Sequence, residues 1–476
     1  MKKMFLSTSI PYVNSVPHIG FALEIIQADV ITRFNRKLGK EVYFLTGTDE
    51  NSLKNVEAAK KEGIGTAELV EKNSLKFKGL KEILNISFND FIRTTEERHL
   101  KGAQKLWNLC RHDLYKKTYE GLYCVGCEQF YKEEELVNGL CPEHKTKPEF
   151  VKEENYFFKL SKYENELKRL IEKDKLKIVP ETRKNETLSF ISSGLNDICV
   201  SRSAKRGDGW GIPVPHDPSE VMWVWFDALS NYINALGFGE GSKSFKEFWE
   251  KNNDKLHIVG KGVARFHTVY WPAMLLSAKI PLPNKVFVHG YITVNGEKMS
   301  KSQGNVVDPY EVVEKYGTDA SRYFFLREIP PFEDGDFTYL RFEERYNGDL
   351  ANGLGNLVSR VVKLSKDVKS SKKIDKAVKK EAELAEKNTN KSLEEFRFNE
   401  ALQNVFKLVS FSNEYIDKAK PWINLHDNKS IVAVDSLIFA ILKIADMLEV
   451  FLPETAEKIR KQVELKEVTS LFPRLK

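Results

Sequence analysis

The sequence predicts an α/β protein in which a parallel sheet, interrupted by a long insert, is followed by an all-helical bundle. Two observations support this prediction. Short apolar runs alternate with stretches of helical periodicity, which is the pattern of parallel strands joined by crossover helices. These runs lie at residues 4–9, 41–46, 256–260 and 285–290. After Pro331 the pattern becomes almost wholly helical, as in the apolar face at residues 402–409.

The same patterns divide the 476 residues into successive stretches. We expect the first half of the sheet at 1–110, an insert at 111–221, the second half of the sheet at 222–320, a connecting stretch at 321–345 and the helix bundle at 346–476. In a sheet of this kind a ligand binds at the carboxyl ends of the strands, where the strand order reverses. A nucleotide site is therefore expected at that edge.

Composition and charge argue against a membrane-spanning or secreted protein. The chain is 41% apolar, yet its longest apolar block, at 438–452, is interrupted by three charged side chains. The apolar run near the start is broken by Pro11 and Asn14, too early for a signal peptide, so we expect a cytoplasmic protein. The net charge of +6 is compatible with a polyanionic partner. The basic residues 363–380 include eight lysines and form either a solvated loop or an exposed helix.

A loop near residue 300 carries two closely spaced lysines. Residues 298–302 read Lys-Met-Ser-Lys-Ser and are called the KMSKS segment below. They follow an apolar run and the glycines Gly290 and Gly296. Two ammonium groups held close together can stabilise charge on a phosphoryl group. We therefore assign Lys298, Ser300 and Lys301 to an ATP site, with the two lysines as catalytic groups.

A second phosphate-binding element is predicted at His18 and Gly20. Apolar residues recur at helical spacing from Ile19 to Leu38, so His18 and Gly20 open a helix. The N-terminus of a helix offers unpaired amide donors and partial positive charge to an anion, and Gly20 allows a nucleotide to approach the backbone. Alone, His18 would be better interpreted as an ordinary residue at a helix start. Its occurrence together with the KMSKS segment favours an ATP site.

Four metal-ligating side chains occur in two pairs, and each pair has two residues between its members. They are Cys124, Cys127, Cys141 and His144. Two such knuckles can form a tetrahedral zinc site of three thiolates and one imidazole. A disulfide would need an oxidising compartment, which the lack of a signal peptide argues against. Because protein ligands fill all four positions, we expect one structural Zn²⁺ per chain.

The histidine and glycine at the start of the first helix, together with the KMSKS segment, resemble the two signatures of class I aminoacyl-tRNA synthetases. Other segments resemble the methionyl-tRNA synthetase family over nearly the whole chain. They are residues 10–12, 46–50, 210–215, 224–228, 232, 266–273 and 413–422. The resemblance implies a Rossmann-type catalytic domain split by a zinc-bearing connective insert, followed by an anticodon-binding helix bundle.

The resemblance also implies the reaction. ATP, bound with Mg²⁺, would activate L-methionine to methionyl-adenylate with release of pyrophosphate, while His18, Lys298 and Lys301 stabilise charge on the phosphate oxygens. Methionyl would then pass to the 3′-terminal adenosine of initiator or elongator tRNA(Met), first to the 2′-hydroxyl. No side chain is an obvious general base. We expect a monomer without an obligate protein partner.

By the same resemblance, two further sets of residues contact substrates. A thioether is best recognised by aromatic walls and a soft polar contact. The methionine pocket implied is Ile10, Tyr12, Asp49, Trp225, Ala228, Tyr232, Val263 and His267, with Asp49 binding the ammonium. Singly, each aromatic residue would be interpreted as core packing. The residues that match the anticodon-reading positions are Asn356, Arg360 and Trp422.

The chain departs from the family pattern at four positions. Phe21 replaces a histidine, Asn51 and Ser52 replace histidine and glycine, and Gly262 replaces an aspartate. These departures leave open a synthetase-derived tRNA-binding protein without adenylation activity. A leucyl, isoleucyl or valyl synthetase would need a large editing insert, for which residues 111–221 are too few. A small nucleotidyltransferase would lack the helical bundle.

Overall fold

The computed structural model describes residues 2–126, 129–143, 145–299 and 304–475. The strands are β1 (Lys3–Thr8), β2 (Glu41–Thr48), β3 (Asp90–Arg93), β4 (Leu114–Cys124), β5 (Gln129–Tyr131), β6 (Glu149–Phe158), β7 (Lys177–Val179), β8 (Ile198–Cys199), β9 (Ser201–Ser203), β10 (Pro213–Val214), β11 (Asp217–Met222), β12 (Lys255–Gly260), β13 (Lys285–His289), β14 (Ile292–Val294), β15 (Glu297–Lys298) and β16 (Gly335–Phe337).

The α-helices begin and end as follows. They are α1 (Ile19–Lys37), α2 (Leu53–Glu62), α3 (Thr66–Ile83), α4 (Glu97–Cys110), α5 (Glu164–Glu172), α6 (Glu181–Ser192), α7 (Val224–Leu229), α8 (Asn231–Asn234), α9 (Lys243–Phe245), α10 (Trp271–Ser277), α11 (Pro309–Tyr316), α12 (Thr318–Arg327), α13 (Tyr339–Arg345), α14 (Asn356–Ser365), α15 (Lys376–Glu394), α16 (Phe398–Ala419), α17 (Asn428–Leu448) and α18 (Pro453–Leu465). Within the described ranges, no helix is both long and apolar enough to cross a bilayer.

The chain forms two compact units. The first unit comprises Met1–Pro17, Gly39–Gly79 and Phe88–Val288. The second unit comprises His18–Leu38, Leu80–Ser87 and His289–Lys476.

The first unit is built on a six-stranded sheet with the strand order β3-β2-β1-β12-β13-β7. β1 pairs in parallel with β2 and β12, β2 with β3, and β13 with β7. The parallel sheet predicted from the apolar runs is therefore confirmed. From β1 the chain adds strands in one direction, β2 and then β3, and from β12 it adds β13 in the other direction. The point at which the strand order reverses, called the switch point, therefore lies between β1 and β12.

Smaller antiparallel sheets occupy the sequence between the two halves of the parallel sheet. β4 pairs with β5 and along its length with β6, which also pairs with β8. A second sheet has the order β10-β11-β9. The short strand β7 lies in the same stretch of sequence but joins the parallel sheet at its edge.

The second unit is largely helical, as expected for residues after Pro331. α15, α16 and α17 pack against one another, α14 and α18 pack against α17, and α1 packs against α12. A short sheet of order β15-β14-β16 precedes the bundle. Its strand β15 ends at Lys298, so it supports the start of the KMSKS segment.

A buried ion network stabilises the second unit. The Asp29 carboxylate accepts hydrogen bonds from Arg33 Nε at 2.7 Å, from Arg322 Nη2 at 2.8 Å and from the backbone and hydroxyl of Ser87 at 2.7 and 2.6 Å. The side chains of Asp29 and Arg322 are completely buried. Burial alone would raise the pKa of Asp29, but Arg322, Arg33 and Ser87 more than offset it and hold the pKa below its ordinary value of 3.8.

We expect Asp29→Asn to lower the free energy of unfolding by about 3 kcal/mol at pH 7, because it leaves the buried Arg322 without its carboxylate. The folded pKa lies below the unfolded one, so the folded state binds fewer protons. The contribution of Asp29 is therefore full at neutral pH and is lost as the pH falls below 3.8 through the folded pKa. Urea unfolding between pH 7 and pH 3 measures both effects.

Glu457→Gln provides the matched control. Glu457 is an exposed acid of the same unit, and its neutralisation should change the unfolding free energy by less than about 0.5 kcal/mol. Equal stability of Asp29→Asn and this control at pH 7 would contradict the stabilising role of the network.

Candidate active site

The residues of the predicted methionine pocket gather at the switch point of the first unit. Ile10 and Tyr12 follow β1, Asp49 follows β2, and Val263 and His267 follow β12. These strands are neighbours in the sheet, so their carboxyl ends meet at one edge. Tyr12 forms an isolated parallel bridge with Asp49, and Asp49 N donates to the Pro11 carbonyl at 2.9 Å.

An aromatic stack forms one side of this region. The Tyr12 ring lies 6.3 Å from Trp225, edge to face, and Trp225 stacks on Phe266 with ring centroids 3.6 Å apart. Trp225 is half-buried, and its indole Nε1 is buried without a hydrogen-bond partner in the described part of the chain. Ala228 lies one turn after Trp225 in α7 and is buried. The structure thus places Tyr12 next to Trp225, with Ala228 on the same helix as Trp225.

Tyr232 and His267 form a hydrogen bond whose direction depends on the tautomer of the histidine. Tyr232 Oη lies 2.6 Å from His267 Nε2, and His267 Nδ1 lies 2.8 Å from the Val263 carbonyl. A carbonyl only accepts, so Nδ1 carries the proton, and in a neutral imidazole Nε2 must accept from the tyrosine. The hydroxyl proton of Tyr232 is therefore directed at His267.

Sequence reasoning missed His257, which lies behind Tyr232. His257 is completely buried on β12, shares a hydrogen bond of 2.7 Å with Ser7 Oγ on β1, and has its ring centroid 4.2 Å from that of Tyr232. Desolvation, followed by the nearby His267 and Lys255, lowers the pKa of His257 well below its ordinary value. A neutral His257 thus packs against the tyrosine ring. The alignment of Ser7 with His257 in the parallel register could have revealed the contact only once the strand pairing was known.

Two of the four departures from the family pattern have local explanations in the structure. The side chain of Asn51 donates to Asp227 Oδ2 at 2.7 Å, while the other oxygen of this buried carboxylate is 2.6 Å from His99 Nε2. Ser52 caps α2, because its hydroxyl accepts from Lys54 N at 3.1 Å. Both residues therefore stabilise the turn that follows Asp49.

The same turn contains a strong ion pair. Glu50 is completely buried and accepts from Arg93 Nε at 2.7 Å and Nη2 at 3.2 Å. Trp210 Nε1 donates to the Glu50 carbonyl at 2.8 Å. A charge-assisted pair of this geometry positions the backbone on which Asp49 sits. The Asp49 side chain is itself buried, and its Oδ1 accepts from Asn51 N at 3.3 Å.

In the second unit, His18 is the N-cap of α1, as the sequence predicts for a helix start. Its Nδ1 accepts from Gly20 N at 3.0 Å. A backbone amide can only donate, so the neutral ring carries its proton on Nε2 and can donate from there to an anion. Although the residue as a whole is exposed, the protein around the ring desolvates it and lowers the pKa of His18 below 6.5. A Cβ at Gly20 would lie 2.8 Å from the His18 ring, so a larger residue here would require that ring to shift.

The described part of the KMSKS segment, and Val307 five residues after its end, lie beside this helix start. A Cβ at Gly20 would be 3.6 Å from Met299 Cε, and Ile19 N donates to the Val307 carbonyl at 3.1 Å. Lys298 is exposed, and its carbonyl accepts from Asn305 Nδ2 at 3.2 Å. The predicted residues Ser300 and Lys301 lie outside the described residues. Within the second unit, the two sequence signatures are thus adjacent.

The zinc ligands are described only in part. Cys124 and Cys141 are buried thiols, whereas Cys127 and His144 lie outside the described residues. Thr146 links the two knuckles, because its carbonyl accepts from Cys141 N at 2.9 Å and its hydroxyl is 4.0 Å from Cys124 Sγ. Among the described residues, which hold two of the four ligands, no group of three or more candidate ligands surrounds one point.

The structure groups the three predicted anticodon residues in the second unit. Asn356 and Arg360 lie one turn apart on α14. The Arg360 guanidinium lies 5.6 Å from the Trp422 ring centroid and 2.5 Å from Asp417. Trp422 is 47% exposed, although an indole of this size is usually buried. An exposed indole beside a guanidinium offers a stacking surface for an unpaired base.

A separate cavity of 560 Å³ occurs in the first unit. Its lining includes Tyr115, Phe157, Phe190, Trp223 and Tyr270, and none of the predicted methionine-contact residues. Trp223 also contacts Phe266 edge to face at 6.1 Å. The cavity therefore lies next to the aromatic stack without being part of the predicted pocket.

Comparison with known proteins identifies the family. The family model described as tRNA synthetases class I (M) matches residues 4–147 and 144–362. The chain belongs to the class I tRNA synthetase (M) family. A second family model, anticodon-binding domain of tRNA ligase, matches residues 375–474, so the helical part of this class I synthetase also has known relatives.

Individual relatives of this class I synthetase cover nearly the whole chain. The methionine–tRNA ligase of Brucella suis biovar 1 is 41% identical over 474 residues, which is 96% of this chain and 91% of the relative. That of Fusobacterium nucleatum is 41% identical and covers 99% of this chain and 76% of the relative. The structure of Mycobacterium tuberculosis methionyl-tRNA synthetase in complex with methionyl-adenylate matches with a TM-score of 0.93 and 36% identity over 100% of both chains.

Proposed function

We propose that this class I synthetase is a methionine–tRNA ligase, which forms methionyl-adenylate from L-methionine and ATP and transfers methionyl to tRNA(Met). The observation that carries the proposal is the adjacency of the His18–Gly20 helix start and the described start of the KMSKS segment, where a Cβ at Gly20 would lie 3.6 Å from Met299 Cε. The near full-length similarity to methionine–tRNA ligases favours this function over a tRNA-binding protein or another class I synthetase.

The first step requires positively charged groups and hydrogen-bond donors close to the phosphate oxygens. The methionine carboxylate attacks the α-phosphate of Mg²⁺-bound ATP in line, and the bond to pyrophosphate breaks. Lys298 and Lys301 supply charge, and His18 donates from Nε2. Gly20 leaves room for the nucleotide next to the backbone. Ser300 offers it a hydroxyl group.

Selection of methionine is assigned to the first unit. Asp49 binds the substrate ammonium, and the thioether lies among the aromatic and aliphatic side chains of the pocket. These are Ile10, Tyr12, Trp225, Ala228, Tyr232, Val263 and His267. Since the proton of Tyr232 is directed at His267, the aromatic walls make the main contact with sulfur.

In the second step the 2′-hydroxyl of the terminal adenosine attacks the activated carbonyl, its proton passes to a substrate group or to water, and the bond to AMP breaks. No protein side chain is assigned as the base, so positioning supplies most of the rate. Asn356, Arg360 and Trp422 read the unpaired anticodon bases, by stacking and by donors to base edges. A cytoplasmic monomer would carry out both steps. Its catalytic sheet, insert and helix bundle would have the boundaries that the sequence patterns predict.

A structural Zn²⁺ would be held by Cys124, Cys127, Cys141 and His144, where it would tie the two knuckles together. The buried thiols of Cys124 and Cys141 and their common contact with Thr146 are compatible with this ligand set. Its role would be structural, since no position stays open for a substrate.

We expect purified protein to contain one equivalent of zinc and Cys141→Ser to lose most of it, because three ligands bind zinc much less tightly than four. Atomic emission after dialysis against a weak chelator measures the content. Cys110→Ser, at a cysteine outside the knuckles, is the control and should keep its zinc. Full zinc content in Cys141→Ser would remove this residue from the ligand set.

Amino-acid-dependent ATP–pyrophosphate exchange tests the function directly. Each of the twenty amino acids is supplied in turn with ATP and labelled pyrophosphate. Only methionine should support exchange. Exchange with another amino acid would overturn the assigned substrate, and retention of tRNA without exchange for any amino acid would favour the binding protein.

A further inference from the structure

The net charge of the chain is concentrated in one segment of the second unit. Residues 363–380, the lysine-rich segment, contain eight lysines and two aspartates, a net charge of +6. The whole chain also has a net charge of +6, so the rest of the sequence is balanced. All eight lysines are exposed. Within the described residues, Lys379 alone of the eight forms an ion pair, a long one of 4.0 Å to Glu383.

The segment adopts a fixed backbone although its side chains are solvated. It includes the end of α14, an irregular stretch at 366–375 and the start of α15. The backbone amide and hydroxyl of Ser371 both donate to Asp435 Oδ2 at 2.7 Å, and Asp375 N donates to Ser436 Oγ at 2.8 Å. Lys372 has a φ of 60°, a left-handed conformation that lysine rarely adopts. The lysine side chains therefore extend from a backbone that hydrogen bonds to α17 hold in place.

Helix electrostatics do not account for these lysines. Lys376, Lys379 and Lys380 lie in the first turns of α15, where the positive end of the helix dipole repels cations. No acidic residue occupies the first turn of this helix. The N-cap carboxylate of Asp375, which accepts from Ala377 N at 2.7 Å, offsets one of these three charges, and an anion bound over the helix start would offset the others.

The segment adjoins the residues assigned to the anticodon. Lys363 lies on α14 three residues after Arg360 and seven after Asn356, so the three share one helix face. On α16, Tyr415 Oη donates to Asp375 Oδ2 at 3.3 Å, and two residues later Asp417 pairs with Arg360. Residues 363–374 fall between the ranges matched by the two family models, 144–362 and 375–474.

We infer that the lysine-rich segment is a phosphate-binding surface that holds the sugar-phosphate backbone of tRNA next to the anticodon bases. This inference rests on the proposed function for the identity of the RNA. A row of unpaired lysines binds phosphates without reading sequence, and it releases counterions when it does so. The surface thus contributes affinity, whereas Trp422 and its neighbours contribute base recognition.

The test is tRNA binding as a function of salt. In the first variant, glutamine replaces three lysines of the segment: Lys369, Lys372 and Lys373. In the control variant, glutamine replaces three lysines outside it: Lys101, Lys243 and Lys458. The control lysines are exposed and pair with Glu97, Glu247 and Glu454, so the change in net charge is matched. Fluorescence anisotropy gives Kd for a tRNA(Met) transcript and for one with an altered anticodon, at several KCl concentrations, and circular dichroism verifies folding.

We expect the first variant to bind both transcripts roughly tenfold more weakly at low salt, and the slope of log Kd against log[KCl] to fall by about two to three. The control should bind like the wild type. An unchanged slope, equal losses in the two variants, or a loss confined to the tRNA(Met) transcript would each overturn the inference. Failure of the proposed function is distinct, because the wild type would then show no methionine-dependent pyrophosphate exchange.

Discussion

Lys301→Ala is expected to slow methionine-dependent pyrophosphate exchange by roughly 10²- to 10³-fold, with little change in methionine binding. An ammonium group that meets the charge developing on the phosphate oxygens acts in the transition state, so its loss lowers kcat rather than raising KM for methionine. Met299, two residues before Lys301, lies beside the His18–Gly20 helix start, and so does Val307, six residues after it. Exchange at saturating methionine, together with equilibrium binding of methionine, measures the two quantities.

Lys315→Ala is the matched control for this change. Lys315 is an exposed lysine of the same unit and pairs with Glu343 at 3.1 Å on the surface. Its removal deletes the same charge and should leave exchange unchanged, because surface pairs contribute little. Near-normal exchange in Lys301→Ala would remove this lysine from the assigned role. A similar loss in both variants would indicate a general effect of charge on ATP binding.

The parts of the fold that follow from local patterns were predictable from the sequence. Apolar runs located β1, β2, β12 and β13, because buried parallel strands read as continuous apolar stretches. Helical spacing located the start of α1 and its cap, His18. The strand β7 has only three residues, Lys177–Val179, and carries no pattern that distinguishes it from a loop. Its place in the parallel sheet depends on tertiary pairing with β13.

The candidate site was predictable in its residue types but not in its contacts. Asn51 and Asp227 are separated by 176 residues, and only the folded chain shows that the asparagine satisfies the buried carboxylate. The direction of the Tyr232 proton depends on a carbonyl, that of Val263, which has no signature in sequence. His257 belongs to no recognisable motif, because a single histidine in an apolar strand is most simply interpreted as a residue of the core. Motifs thus identify chemistry, and hydrogen bonds decide how each group can act.

His18→Asn should slow pyrophosphate exchange by roughly 10²-fold or more without destabilising the protein. Asparagine is a favourable N-cap, so its side-chain oxygen can replace His18 Nδ1 as acceptor for Gly20 N and keep the start of α1. It is too short to place a donor where Nε2 lies. His18→Ala removes both functions and should also lower the unfolding free energy by about 1 kcal/mol. Exchange rates and urea unfolding of the two variants separate the cap from the donor.

The pH dependence provides an independent check on His18. Protonation must occur at Nδ1, which already accepts from Gly20 N, and desolvation lowers the pKa of His18 below 6.5. Protonation leaves Nε2–H in place but breaks the bond from Gly20 N that orients the ring, so exchange should persist from alkaline pH down to below 6.5 and fall only under more acidic conditions. In His18→Asn this acidic fall should disappear, because no imidazole titrates. An acidic fall of equal size in the variant would assign it to another group, and wild-type exchange in His18→Asn would limit His18 to capping the helix.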